Sequence, residues 1–186
     1  MSDAIDVDGF RPNVGIILSN AEAHLLLAGR AGQRGWQFPQ GGIESDETPM
    51  DAMYRELREE IGLAPADVQI LGSTEPWLRY RLPRRYMRRR ADPVCVGQKQ
   101  IWYLLRLLSC DEAVRLDHCE APEFDRWRWV DYWQPVNEVI YFKKRVYLRA
   151  LKQLAPILFP EGHLAPPPRI RRRRQHMNGG QPPGRP

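Results

Sequence analysis

The sequence contains few cysteines and no long hydrophobic segment. Its three cysteines, Cys95, Cys110 and Cys119, are odd in number and have no C-x-x-C spacing, which argues against a disulfide framework and a zinc site. No run of about 18 or more apolar residues occurs, so we expect no membrane span. The first residues, MSDAIDVDGF, are acidic and lack the basic and apolar regions of a signal peptide. We therefore expect a cytoplasmic protein with reduced cysteines.

Histidine is also scarce, and it is not grouped. The four histidines are scattered along the chain, and no Ser/His/Asp or Cys/His arrangement accompanies them. The sequence therefore gives no support to catalysis by an activated serine or cysteine.

Acidic residues are absent from the C-terminal stretch, which separates it from the rest of the chain. Residues 164–186 carry six arginines and no acid, so the net charge of +5 resides in this stretch and the remainder is near neutral. Its other residues are mostly Pro, Gly and Gln, without apolar periodicity, which predicts a disordered tail. We expect one domain at 1–163. Two roles are open for the tail: keeping the chain soluble, or holding RNA by non-specific electrostatic attraction.

Residues 41–63 predict a helix with defined ends. Thr48 is suited to the N-cap, Pro49 to the first helical position, and Asp51 to the partner position of a capping box. Gly62 can end the helix in a left-handed conformation. At about 100° per residue, one arc of this helix is apolar and is expected to face a core. This arc consists of Met50, Met53, Tyr54, Leu57 and Ile61.

Three glutamates share a second arc of the same helix. Glu56, Glu59 and Glu60 are spaced i, i+3 and i+4, which makes them neighbours on a helix surface. One interpretation is an exposed face with ion pairs such as Arg55–Glu59. The other is a site in which the carboxylates bind divalent cations, and oxygen-only ligands favour Mg²⁺ or Mn²⁺.

The remaining segments predict strands on both sides of this helix and a second helix near the end. Short runs rich in β-branched and aromatic residues predict strands at 13–19, 24–28, 36–38, 68–74, 99–108 and 124–130. The segment around Gly41 and Gly42 is predicted to be a loop. Apolar residues at steps of three and four predict one helix over 135–158, with Phe142 on its apolar stripe. This order of elements predicts an α/β sandwich.

The segment 77–90 has seven arginines and three aromatic residues in 14 positions. It is either a solvated loop or edge strand kept unpaired by charge, or a cationic rim suited to phosphates and stacked bases. We favour the second interpretation because the glutamate helix lies close in sequence.

Residues Gly41 to Leu63 follow the spacing G-x5-E-x7-R-E-L-x-E-E-x-G-L. This spacing resembles the Nudix box, the motif of hydrolases that act on nucleoside diphosphates linked to another group. The resemblance implies an α/β/α sandwich with a mixed β-sheet, in which the box forms loop–helix–loop. It also implies that Arg55 and Glu47 orient the metal-binding carboxylates. The implied metal ligands are Glu56, Glu59, Glu60 and the carbonyl of Gly41.

The resemblance extends from about Gly9 to Ala155, through RPNVGIIL, GWQFPQGGI, WLRY, PVCVGQKQIWYLL, PEFDRWRWVDYWQPV and VIYFKKRVY. These segments are similar to the bacterial RNA pyrophosphohydrolase branch of the Nudix family. From the residues alone, Glu60 and Glu123 are both candidates for the base that activates a water, and the resemblance favours Glu123. The implied catalytic residues are Glu123, Glu60, Glu56 and Arg55.

The resemblance also implies residues that bind substrate. Arg11, Phe142 and Lys143 match positions that hold the first bases of an RNA, and we add Ile140 beside them. For Phe142 a purely structural place in the core is equally open. Phosphate contacts are expected from Arg30, Tyr80 and Lys99.

Together these features predict a Mg²⁺-dependent hydrolase, with Mn²⁺ as a substitute, that converts 5′-triphosphate or diphosphate RNA ends to monophosphates. The substrate would be the single-stranded 5′ end of an RNA. The nearest alternative is a hydrolase of dinucleoside polyphosphates using the same site, and a more distant one is an RNA-binding protein without chemistry. We expect a monomer, and the sequence leaves room for a protein activator.

Overall fold

The fold is organised around a mixed β-sheet, seen in a computed structural model that describes residues 5–87, 93–117, 121–162, 164, 165, 167 and 170. Expectations for 88–92, 118–120 and most of 164–186 lie outside the described residues. The strands are β1 (Phe10–Ser19), β2 (Leu25–Arg30), β3 (Trp36–Gln37), β4 (Gln40–Gly42), β5 (Val68–Ser73), β6 (Leu78–Arg81), β7 (Gly97–Leu107) and β8 (Phe124–Val130).

Strand β1 lies at the centre of this sheet. It pairs in parallel with β7 along its whole length and antiparallel with β2 and β4. The main order is β3-β2-β1-β7-β5, with β6 added to β7 and β8 to β2. One parallel pair among antiparallel ones makes the sheet mixed, as predicted.

Two apolar cores cover the two faces of the sheet. Because side chains alternate along a strand, Ile17 of β1 joins the core that contains Val146 and Leu151. Its neighbours Ile16 and Leu18 join the core under the glutamate helix. The helices are α1 (Pro49–Ile61), α2 (Gln134–Glu138) and α3 (Lys144–Leu158). The predicted sandwich of a sheet between helices is confirmed.

The ends of α1 are those that its sequence predicts. The Thr48 hydroxyl accepts from the Asp51 N–H at 3.2 Å, and the Asp51 carboxylate accepts from the Thr48 N–H at 3.2 Å. Gly62 is left-handed, with φ 73°. The prediction for Met50 is wrong, since 47% of it is exposed. Thr48 and Asp51 beside it are exposed as well, so the first turn extends beyond the packed interface.

The prediction of one helix over 135–158 is also wrong. The chain leaves α2 at Val139, which is extended with ψ 153°, and re-enters a helix only after Lys143. The β-branched and aromatic run Val139-Ile140-Tyr141-Phe142 has low helix propensity, which lets the turn form. Phe142 therefore lies in a turn, half-buried, and not on a helical stripe.

Strand β4 was not predicted, because its sequence is Gln-Gly-Gly. Its residues have low strand propensity, and the antiparallel pairing with β1, in which Val14 lies opposite Gly41, holds them extended. This pairing lays the start of the α1 segment along the centre of the sheet.

No helix within the described residues is long and apolar enough to cross a membrane. Beyond the predicted domain end, Leu164 and Ile170 pack against the core of α3, and Ala165 accepts a hydrogen bond from the Trp133 indole at 2.6 Å. The division at 163 and 164 stays a prediction.

Candidate active site

The glutamates of α1 do not all point the same way. Glu56 and Glu60, one turn apart, are each only 8% exposed. The Glu59 side chain is 56% exposed. The buried pair faces β4, while Glu59 lies at the outer edge of the arc. The site is thus built on two buried carboxylates with a third beside them.

One guanidinium joins the carboxylates of this segment. Arg55 donates to Glu47 Oε1 at 2.6 Å, to Glu56 Oε1 at 2.7 Å and to Glu59 Oε2 at 3.2 Å. It also donates to the Gly42 carbonyl at 2.8 Å, which ties α1 to β4. The hydrogen bond from Arg55 lowers the pKa of Glu47, and the bond to Glu47 raises the pKa of Arg55. Arg55 thus joins Glu47, Glu56 and Glu59, and the orienting role that the resemblance implies for Arg55 and Glu47 stays a prediction.

The glycines of β4 allow two charged groups to approach the backbone. A Cβ on Gly41 would lie 1.7 Å from Glu56 Oε1, and one on Gly42 would lie 2.2 Å from Arg11 Nη2. Any side chain at either position would displace the charged group. Glycine at 41 and 42 thus lets these charged groups lie against the β4 backbone.

Burial disfavours the ionised form of both inner glutamates. The pKa of Glu60 is raised well above its usual value, first by burial and then by the charges of Glu56 and Glu123. The pKa of Glu56 is raised by burial, against the lowering effect of Arg55. Glu60 Oε2 accepts one backbone hydrogen bond, from Gln40 at 2.8 Å. Buried carboxylates that repel one another are stabilised as anions by a cation.

The donor set fits a hard divalent cation. Within 5–87, 93–117 and 121–162, no group of three His, Cys, Asp or Glu side chains is close enough to hold a metal ion. Glu59 instead turns toward Arg55. Mg²⁺, however, is commonly held by one or two carboxylates, with waters and substrate phosphates completing the octahedron. Glu56 and Glu60, against the glycine backbone of β4, provide this minimal set.

Glu123 reaches the same cavity from the loop before β8. Its carboxylate accepts from Gln37 Nε2 at 3.1 Å and lies 3.8 Å from Arg30 Nε. Its carbonyl accepts from the Ala31 N–H at 2.8 Å, which fixes the loop. The structure therefore brings Glu123 together with the glutamates of α1, although more than 60 positions separate them.

The cavity has a volume of about 310 Å³ and is almost entirely polar. It is lined by Arg11, Asn13, Gln40, Gly41, Gly42, Glu56, Glu60, Gln98 and Glu123. A larger cleft of about 620 Å³, between the β1–β2 turn and α2, contains none of the predicted site residues. Of these two cavities, the smaller one brings the three predicted site glutamates Glu56, Glu60 and Glu123 together with Arg11.

Lys143 and Tyr80 adjoin the cavity. Lys143 Nζ donates to Gln40 Oε1 at 3.0 Å, and burial lowers its pKa to about 8. The Tyr80 hydroxyl donates to Gln98 at 2.6 Å. The Phe142 ring lies 6.0 Å from the ring of Tyr80, centroid to centroid. Ile140 is exposed in the turn before Phe142.

Lys99 is not brought to the cavity. Its neighbours on β7 are Gln98, which lines the cavity, and Gln100, which donates to Asn13 at 2.6 Å. Because side chains alternate along a strand, Lys99 points to the opposite face. There it pairs with Asp6 at 2.9 Å. Its contact with substrate phosphate stays a prediction without geometric support.

Several residues of the site were missed from the sequence. Gln37, Gln40, Asn13 and Gln98 are amides in strands, and nothing in their spacing distinguishes them from ordinary polar positions. Only the PQGG segment, as an unusual run before a capped helix, could have directed attention to Gln40.

The sequence is similar to a known domain profile and to named proteins. The profile of the NUDIX domain matches residues 9–151. RNA pyrophosphohydrolase of Alkalilimnicola ehrlichii is 62% identical, over 91% of this chain and 94% of that protein. RNA pyrophosphohydrolase of Thioalkalivibrio sulfidiphilus is 63% identical, over 85% and 91%. The Pseudomonas fluorescens protein of the same name is 61% identical, over 83% and 97%.

Solved structures with low sequence identity share the fold. A C. elegans Ap4A hydrolase binary complex has a TM-score of 0.58 at 17% identity, covering 80% of this chain and 98% of that one. The E. coli dihydroneopterin triphosphate pyrophosphohydrolase has a TM-score of 0.58 at 15% identity, covering 76% and 95%. At these identities the likeness concerns the fold alone.

Proposed function

The chain belongs to the Nudix hydrolase family, and from that premise we propose that it removes pyrophosphate from the 5′ end of RNA. The observation that carries the proposal is one polar cavity containing Glu56, Glu60 and Glu123, next to the cationic and aromatic side chains of Lys143 and Phe142. Relatives 61–63% identical over most of their length are named RNA pyrophosphohydrolase, which supports the choice of substrate.

The reaction breaks a phosphoanhydride bond with one water. For a 5′-triphosphate end, the phosphoanhydride bond between the α- and β-phosphates breaks. The water adds its hydroxyl to one of these two phosphorus atoms, and its proton goes to a base. The products are a 5′-monophosphate RNA and pyrophosphate. A 5′-diphosphate end gives orthophosphate by the same balance.

Nudix hydrolases generally use divalent cations, and for this chain we propose Mg²⁺, with Mn²⁺ as a substitute. The bound cation would neutralise phosphate charge and lower the pKa of a water. Glu56 and Glu60 are the residues that would hold it. We propose Glu59 and the Gly41 carbonyl as additional ligands.

Glu123 is proposed as the base. It is a carboxylate on a fixed loop, held by Gln37 on one oxygen and exposed to the cavity. General bases must be positioned within hydrogen-bond reach of the proton they accept. Glu60, deeply buried and already bonded to the Gln40 N–H, is the less accessible of the two candidates.

The RNA end is proposed to lie between Arg11 and the Phe142 turn. Arg11 lines the cavity beside Gly42, where it suits a phosphate. Arg30 Nε is buried without a hydrogen-bond partner, next to Glu123, and also suits a phosphate oxygen. The half-buried Phe142 offers a ring to an unstacked base, with Ile140 exposed beside it.

The test compares two substrates at the same site. We expect kcat/KM for 5′-triphosphate RNA to exceed that for diadenosine tetraphosphate, because the dinucleotide has no nucleotide joined 3′ to its first base that could lie at the Phe142 turn. A wide margin in favour of the dinucleotide would overturn the proposed substrate. Loss of both activities in Glu60→Gln would assign them to one site.

A further inference from the structure

A group of exposed aromatic and arginine side chains continues outward from the proposed RNA-end pocket. We call Arg85, Tyr86 and Tyr141 the outer surface. Tyr86 and Tyr141 are 43% and 45% exposed, and they lie together with Arg85 on one surface. They come from two distant parts of the chain: the turn after β6 and the turn between α2 and α3.

The outer surface is joined to the cavity by neighbouring aromatic rings, of which Tyr80 and Phe142 are stacked while Tyr86 and Tyr141 meet Phe142 at 50° and 89°. The Phe142 ring lies 6.0 Å from Tyr80, 5.0 Å from Tyr86 and 5.4 Å from Tyr141, centroid to centroid. Tyr80 is buried and bonded to Gln98 of the cavity. Phe142 is therefore the middle of a series of aromatic rings that begins at the cavity and ends in solvent.

Arg85 holds the two outer rings. Its guanidinium carbon lies 5.0 Å from the Tyr86 ring centroid and 5.5 Å from that of Tyr141, and it donates to the Tyr141 hydroxyl at 3.4 Å. In the described part of the chain, no acidic side chain pairs with Arg85. By contrast, Arg79 pairs with Asp8 at 3.3 Å. Among the described residues, the charge on Arg85 therefore has no acidic partner, and the guanidinium contacts the two tyrosines instead.

This chemistry suits single-stranded nucleic acid. Aromatic rings stack with bases of any sequence, and a neighbouring arginine adds a charge for the backbone phosphate and a flat face for stacking. A cationic arginine without an acidic partner makes the surface less suited to an apolar protein segment. The surface also begins where the proposed pocket for the first bases ends.

We propose that Arg85, Tyr86 and Tyr141 bind unpaired nucleotides of the substrate beyond those seated at Phe142. This inference rests on the proposed function. It predicts that the enzyme acts faster on RNA whose unpaired 5′ segment is long enough to reach the outer surface. RNA with only two nucleotides cannot use it.

The test uses the full chain and two 5′-triphosphate oligonucleotides, of two and six nucleotides, that share their first two bases. We expect wild type to favour the longer one in kcat/KM by about tenfold, the scale of one stacked base. The single variants Arg85→Ala, Tyr86→Leu and Tyr141→Leu should each reduce this ratio to about two. Tyr86→Phe should keep the wild-type ratio, because the aromatic ring remains.

Arg79→Ala is the matched control. It removes the same charge from the adjacent strand, but Arg79 points away from Tyr80 and is paired with Asp8. It should keep the wild-type ratio. A wild-type ratio near one, or a ratio unchanged in Arg85→Ala and Tyr86→Leu, would overturn the inference, and would leave a protein partner as the better occupant. Failure of wild type to cleave either oligonucleotide would instead overturn the proposed function.

Discussion

The Gln37 side chain donates a hydrogen bond of 3.1 Å to the carboxylate of Glu123, across 86 positions of sequence. Gln37 is buried at the end of β3, while Glu123 stands in the loop before β8. The buried amide of Gln37 thus holds one carboxylate oxygen of Glu123, the proposed base, and the second oxygen stays available to the cavity.

Replacing Gln37 with Leu should therefore misplace the base. We expect kcat to fall by about 10- to 100-fold, with KM changed less than threefold, because positioning affects the transition state more than substrate binding. Steady-state kinetics on 5′-triphosphate RNA measures both. Gln33→Leu, an exposed glutamine in the same segment, is the control. Equal effects of the two substitutions, or a change in KM alone, would contradict this role.

Gly41→Ala should inactivate the site. The new Cβ would meet the Glu56 carboxylate at 1.7 Å, so either Glu56 or β4 must move. We expect kcat/KM to fall at least about 100-fold, because the Glu56 carboxylate would be displaced from its place in the cavity. Gly72→Ala is the matched control, because its Cβ would meet only the flexible end of Ile157 at 2.7 Å. Full activity in Gly41→Ala would show that Glu56 need not lie against β4.

Asp67 should contribute pH-dependent stability away from the site. Its carboxylate accepts from the Ser109 hydroxyl at 2.5 Å and the Ala64 N–H at 2.7 Å, and the bond from Ser109 is the main cause of its lowered pKa. A pKa below the unfolded value of about 3.9 gives stability that is present above that pH and is lost as pH falls through the folded pKa.

The difference in urea midpoint between wild type and Ser109→Ala should therefore be largest near neutral pH and should shrink below about pH 4. Ser73→Ala, an exposed serine in β5, is the control. A difference that stays constant over this range would show that the hydrogen bond does not depend on the charge of Asp67.

The arginine-rich end of the chain can be tested separately from the described domain. Because Leu164, Ala165 and Ile170 contact the body, truncation should begin at residue 171. If these arginines hold RNA, deleting 171–186 should weaken RNA binding and make log K fall less steeply with log salt, by about 0.7 for each lost phosphate contact. Turnover of a short 5′-triphosphate RNA should be retained. An unchanged salt dependence would leave solubility as the role of this stretch.

The elements of the fold could be predicted from the sequence where the residues that determine them lie within a few positions of one another. The caps at Thr48, Asp51 and Gly62 act within a few residues, so they were predicted correctly. The spacing of Glu56 and Glu60 is likewise a property of one helix. Strand β4 was missed because it depends on pairing with β1. The turn at Val139 was missed because the apolar spacing of 135–158 outweighed the low helix propensity of the run from Val139 to Phe142.

In the candidate site, too, the contacts between segments distant in sequence were the ones that could not be predicted. The Gln37–Glu123 bond and the approach of Gln40 to both Glu60 and Lys143 join segments that are distant in sequence. No periodicity encodes such contacts. For Lys99 the resemblance implied a phosphate contact, whereas the alternation of β7 places its side chain against Asp6, so that contact stays a prediction.

The most direct test of the central claim follows the phosphates of a labelled RNA end. Wild type with Mg²⁺ should release the β- and γ-phosphates together as pyrophosphate and leave a 5′-monophosphate RNA. Glu56→Gln and Glu60→Gln should lower the rate by at least about 100-fold while RNA still binds, and Glu22→Gln, on the β1–β2 turn, should not. Release at the wild-type rate from both site variants, or no release from wild type with a divalent cation present, would contradict the account.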